Sequence, residues 1–124
     1  MLHIQYLNDT AGTTISALAV ASAGTVLTEG IDTSRDVTSM GLFVIHTGTI
    51  SSLTREVSID NTTFYTPYDK VSSLSVVMTT TATNSRYISL VNPDSGNICS
   101  PFTRYSVKML SGGTLTLVYV ANEV

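Results

Sequence analysis

The sequence predicts an all-β fold, an antiparallel sandwich or barrel in one domain spanning residues 1–124, and three observations predict it. Ser and Thr fill 36 of 124 positions while charged residues make up only 12%, a composition suited to pleated, half-wetted surfaces. Turn residues recur at strand-length intervals: Asn8-Asp9, Gly24, Gly30, Gly48, Asn61, Pro67, Asn84, Pro93-Asp94-Ser95-Gly96, Pro101 and Ser111-Gly112-Gly113. Between them no helix-length window repeats every 3.6 residues, whereas several segments alternate with period two.

The elements follow in chain order. Leu2 to Leu7 alternates Leu2, Ile4 and Tyr6 against His3 and Gln5 and reads as a strand. Thr13 to Ala21 also reads as a strand, although its alanines would suit a short helix. Gly41 to Thr47, Thr54 to Ile59, Ser72 to Thr79 and Arg86 to Val91 are bounded by turn signals and rich in β-branched residues. In Arg104 to Leu110 the apolar residues are Tyr105, Val107 and Met109; in Thr114 to Val120 they are Leu115, Leu117 and Tyr119. Joining these two as a hairpin through a three-residue Ser111-Gly112-Gly113 loop opposes apolar to apolar throughout, whereas a two-residue loop would set Lys108 against Leu117. A slip of one residue would expose side chains worth roughly 1.5–3 kcal/mol each. Arg86-Tyr87 and Arg104-Tyr105 form a faint internal echo, read as two strands that each carry a surface Arg and an inward Tyr.

A chain of 13.2 kDa can bury roughly two thirds of its unfolded surface, enough for a core without disulfide or metal staples. Six basic residues (Arg35, Arg55, Lys70, Arg86, Arg104, Lys108) are scattered singly in a chain of net charge −3, which argues against nucleic-acid binding by bulk charge. Cys99 is the only cysteine and cannot form an internal disulfide. The stretch Ile15 to Ala23 ends in an Ala-x-Ala-like pattern, but no Lys or Arg precedes it and Asp9 does, so it is not read as a secretory leader. No apolar run approaches the ~18 residues of a membrane helix, and no membrane role is expected.

Signatures of catalysis are sparse. Nucleophile elbows, phosphate-cradling glycine loops, dinucleotide fingerprints and paired cysteines are absent, so no cofactor is expected and the chain is read as non-enzymatic. His46 follows Phe43-Val44-Ile45 and reads as a strand-face residue, and His3 lies near the start of the chain. The acids Glu29, Asp32 and Asp36, with Glu56 and Asp60, read as turn-forming and solvated groups; they supply too few oxygens for calcium. The aromatic-rich segment TTFYTPYDK, with Tyr65 and Tyr68 flanking Pro67, could stack on a sugar or a protein partner; alternatively Phe64 and Tyr65 close one end of the core. The sequons at Asn8 and Asn61 matter only in a secreted eukaryotic protein.

The order TVLTEGIDTS, MGLFVIHTGTIS, LTREVSIDN, and then RYISL, RYSVKML and SGGTLTLVYV, resembles a group of small phage virion proteins over Thr25 to Val120. The segment TREVSID is shorter and less polar than the group's usual strand after a Gly-Thr turn, which leaves strand order open. The resemblance implies a jelly-roll-like sandwich acting as a capsid cement or decoration protein. Such a protein sits on the outer surface of the virion, binds the major capsid protein, and is often a homotrimer. A tail, neck or head-fibre component, or a carbohydrate- or receptor-binding module using Tyr65 and Tyr68, is the alternative. Low charge suits a subunit that packs against copies of itself or a lattice. Residues 1–12, with Leu2, Ile4 and Tyr6, are the candidate arm for pairing with a neighbour's sheet edge; an ordinary first strand is the other reading.

Overall fold

A computed structural model describes residues 1–32, 37–66, 68–69, 74–75, 77–82, 84–89 and 101–123. Cys99, Pro67 and Asp36 lie outside the described residues, as does part of the expected strand Ser72 to Thr79. The described residues contain strands and no helix: β1 (Leu2–Tyr6), β2 (Leu18–Val20), β3 (Thr25–Leu27), β4 (Ile31–Asp32), β5 (Val37–His46), β6 (Ile50–Ser58), β7 (Tyr68–Asp69), β8 (Leu74–Ser75), β9 (Val77–Ala82), β10 (Arg86–Ser89), β11 (Phe102–Met109) and β12 (Gly113–Glu123).

The chain is an antiparallel β-sandwich. One sheet runs β1-β12-β5-β10, with β2 beyond β1 on the same side of β12; the other runs β3-β11-β6-β9, with β4 beyond β3 on β11. Counting β1/β2 and β3/β4 each as one interrupted strand, and setting aside the separate β7–β8 pair, leaves eight described strand positions, ordered 1-8-3-6 in the first sheet and 2-7-4-5 in the second. That is jelly-roll order, in which nearly every chain segment crosses from one sheet to the other. Among the described residues β7 and β8 pair only with each other.

The expected hairpin of the last two strands does not form. β11 pairs with β6, placing Val107 opposite Leu53, and β12 pairs with β5, placing Leu117 opposite Val44. The segment 110–112 is therefore a crossover between sheets, and Gly113 already belongs to β12. The inward residues are nevertheless the expected ones: Tyr105, Val107, Met109, Leu115, Leu117 and Tyr119 are all buried, meeting across the sandwich instead of side by side. The turn between β5 and β6 seats against this crossover. Gly48 has φ +74°, and a Cβ there would lie 2.6 Å from the Gly112 carbonyl oxygen, so glycine satisfies both the conformation and the approach.

The core also contains Leu7, Ile15, Val26, Ile31, Leu42 and Ile50. Thr13 to Ala21 supplies only the short β2, because Ala17 turns the chain at φ 51°. Residues 8–14 instead leave the first sheet to clasp the second. Leu7 N–H donates to Leu117 O and Leu117 N–H to Ile15 O; between them Asp9 bridges to Thr28, Thr10 N–H donates to Leu27 O, and Glu29 N–H to Asn8 O. Asp9 fixes the excursion by accepting the N–H groups of Ala11 and Thr13, each at 2.9 Å. The Arg-Tyr echo splits: Tyr105 points inward, whereas Tyr87 is 51% exposed and faces outward beside Phe43, its neighbour Ile88 taking the inward position.

Candidate functional site

The outer face of the first sheet is apolar. β12 is flanked by β1 and β5, and in the register Tyr6↔Val118↔Phe43↔Tyr87 four strands present apolar side chains in one row. Ile4 and Val120 continue it on one side and Ile45 on the other, with Leu2 at the corner. Ile4 is 59%, Tyr6 53% and Ile45 49% exposed. Phe43 and Tyr87 pack with ring centroids 4.7 Å apart, and the Tyr87 ring folds over Gly41, the space a Cβ would need. The six exposed side chains Leu2, Ile4, Tyr6, Phe43, Ile45 and Tyr87 offer on the order of 100 Å² each, a patch of about 600 Å². The described strand side chains on this face carry no charge. Sequence alternation finds Leu2, Ile4 and Tyr6; Phe43, Ile45 and Tyr87 are missed because nothing in their own segments tells which face meets the core.

On the second sheet a separate open groove of about 320 Å³ is lined by Thr10, Thr28, Glu29 and Gly30 from the clasp and its neighbour, by Asn61, Thr62 and Phe64 from the turn after β6, and by Arg104 from β11. Arg104 faces outward because Thr103 and Tyr105 on either side are buried. Its Nε donates to Glu56 Oε1 at 2.5 Å across the β11–β6 pair, and its guanidinium lies 4.1 Å over the Phe64 ring. Asp60 holds the turn: it accepts the N–H groups of Thr62 at 2.9 Å and Thr63 at 3.0 Å and the Ser58 hydroxyl at 3.1 Å. The Thr63 N–H first, then that of Thr62, then the Ser58 hydroxyl keep its carboxyl below the ordinary carboxylate range. Asn61, at φ 60°, lays its side chain over Gly30, whose missing Cβ leaves it room.

The remaining expected residues are dispersed. Tyr65 is 61% exposed and bridges to Val57 through paired backbone hydrogen bonds of 2.8 and 2.9 Å, while Phe64, half-buried over Arg104, is the aromatic that reaches the groove. Tyr68 lies in β7; its side chain is outside the described residues. His46 faces inward and is buried, its Nδ1 hydrogen-bonded to the Gly48 carbonyl at 3.0 Å. Among the described residues no group of three or more His, Cys, Asp or Glu is arranged to hold a metal ion.

No protein-family model matches the chain, and no curated protein matches it. Among solved structures it is similar to a point mutant of a family 29 carbohydrate-binding module studied for ligand recognition, at 9% identity and a TM-score of 0.36, covering 98% of this chain and 83% of that one.

Proposed function

We propose that this chain is a non-enzymatic structural protein of a phage virion, a capsid cement or decoration protein that docks on the outer shell and stabilises it. The apolar outer face of the first sheet carries the reading. A patch of about 600 Å² stands at the upper end of what monomers expose and supplies most of the ~800 Å² per partner of a standard interface. Because the described strand side chains of this face are uncharged, the complementary surface on the major capsid protein is apolar as well. Modest affinity suffices, since contacts repeated over a shell reinforce one another.

Shells assembled from the major capsid protein of the same phage should co-sediment with the protein and melt at a higher temperature in its presence. Ile4→Lys combined with Ile45→Lys changes two half-exposed side chains, so it should keep the protein's own melting temperature within a few degrees while weakening shell binding at least tenfold. Undiminished binding by that variant, or a wild-type protein that ignores shells, would refute the reading.

The groove favours a second reading, binding of a saccharide. Arg104 offers donors, Glu29 acceptors and the Asn61 amide both, beside the Phe64 ring, a mixture matched to a neutral polyhydroxylated ligand. Titration with gluco-, manno- and galacto-oligosaccharides should shift the backbone amides of Gly30, Asn61 and Thr62. Asn61→Gly, which keeps the left-handed turn and removes the amide, should weaken that response at least fivefold. Amides that stay still at millimolar sugar would dismiss this reading.

A further inference from the structure

β1 is an edge strand with none of the usual protections against pairing. Among the described residues it bonds to β12 alone, in register from Leu2↔Asn122 to Tyr6↔Val118 with no bulge, and it contains no Pro, Lys or acidic residue. Edge strands of stable monomers are normally blunted by such residues, by bulges or by a covering segment. The other described edges differ: β2, β3 and β4 are fragments of three, three and two residues, β10 has four residues and begins with the exposed Arg86, and the six-residue β9 is broken by a register shift in its pairing with β6.

The direction of the open backbone groups follows from the ladder. Leu7 N–H donates to Leu117 O. By the two-residue alternation of antiparallel pairing, Gln5 and His3 turn their N–H and C=O groups toward β12, while Leu2, Ile4 and Tyr6 turn theirs toward the open edge. The residues with outward backbone groups are therefore those whose side chains stand on the apolar outer face.

We infer that a second copy of this chain pairs with β1 antiparallel about a two-fold axis at Ile4. Ile4 then faces Ile4 of the other copy, Leu2 faces Tyr6, and Tyr6 faces Leu2. Each of these three pairs exchanges two backbone hydrogen bonds, so all six open groups are satisfied by an isologous contact. The pairing extends the first sheet from one copy into the next and sets the two apolar faces side by side, doubling the continuous patch. Leu2, Ile4 and Tyr6 become cross-strand neighbours of an identical row, apolar against apolar. The inference stands on the strand edge alone and does not require that the face dock on a shell. It replaces the threefold association that the sequence resemblance implies with a two-fold one.

The test uses the full chain without any shell. Sedimentation equilibrium should give a mass that rises with concentration from one chain to two and stops there. Ile4→Pro removes the N–H on the two-fold axis, a group that makes no bond to β12, and should weaken dimerisation at least tenfold with the fold kept; Tyr6→Pro provides the same test one pair along. Hydrogen exchange supplies a readout independent of variants: the amides of Leu2, Ile4 and Tyr6 should gain protection as concentration rises, while those of His3 and Gln5 are protected throughout. A monomer at millimolar concentration, a trimer, or a dimer unaffected by Ile4→Pro and showing no concentration-dependent protection of these three amides would overturn the inference.

Discussion

Tyr105 shows how one position can carry both fold and pH response. It sits opposite Arg55 on the neighbouring strand, and the two side chains are brought inside together, Arg55 at 3% exposure. Burial pushes the Tyr105 hydroxyl up to about 12, against the opposing pull of the Arg55 guanidinium. The unfolded chain gives up this proton near pH 10 and the folded one near 12, so between those values the folded state binds more protons. Its stabilising effect is complete below pH 10 and is lost as pH climbs through 12, an amount of about 3 kcal/mol. Denaturant unfolding at pH 8 and pH 11.5 should therefore show a fall in stability that Tyr105→Phe largely removes, and the absorbance step of phenolate formation near pH 12 should shrink by one tyrosine. An unchanged alkaline slope in the variant would contradict this. The inward direction of Tyr105 is legible from its alternation with Arg104 and Ser106. Burial of Arg55 is equally implied by its alternation with Leu53 and Val57, but the side-chain type argues the other way, and here packing overrides type.

At the scale of elements, β1 contributes pairing and surface and leaves the core to the residue that follows it. From Leu2 to Tyr6 no side chain is fully buried; Leu7 is 1% exposed and begins the clasp to the second sheet. Deleting residues 1–6 should cost ladder bonds only, whereas deleting residues 1–9 also removes Leu7 and the Asp9 turn, adding roughly 2–5 kcal/mol for the lost leucine. Thermal melts of the two truncated proteins should separate clearly, and coincident melts would refute this division of labour. The same scale explains which parts of the architecture could be read in advance. Period-two alternation reports the face a side chain takes, so the buried rows of β11 and β12 were legible. It carries no information on the neighbouring strand, so adjacency of β11 and β12 in sequence does not make them neighbours in a sheet. β3 and β4 are not legible in the sequence because they are two or three residues long and the intervening Gly30 reads as a turn. The groove was half legible: the aromatic segment around Phe64 was visible, but Arg104 and Gly30 join it only through the crossing of distant strands.

The whole molecule is organised by non-local pairing. Among the described strands only β7 and β8 pair with an immediate neighbour in the chain; the long ladders join β12 to β5 and β1, and β11 to β6. Such a topology closes large loops before its contacts form, which places folding in the slow range of small domains. It also separates the two candidate surfaces, the apolar face belonging to the first sheet and the polar groove to the second, so that occupation of one leaves the other open. The first and last strands lie side by side, with Leu2 opposite Asn122 and the Met1 amino group 3.5 Å from Asn122 Oδ1. A force that draws the two ends apart therefore loads the β1–β12 ladder one bond at a time, as a zipper is opened. Resistance rises only where Leu7 and Ile15 grip Leu117 and the clasp ties both sheets together. The molecule is thus mechanically soft when its first and last strands are drawn apart and stiff beyond the first strand, so under load the edge strand yields before the core does.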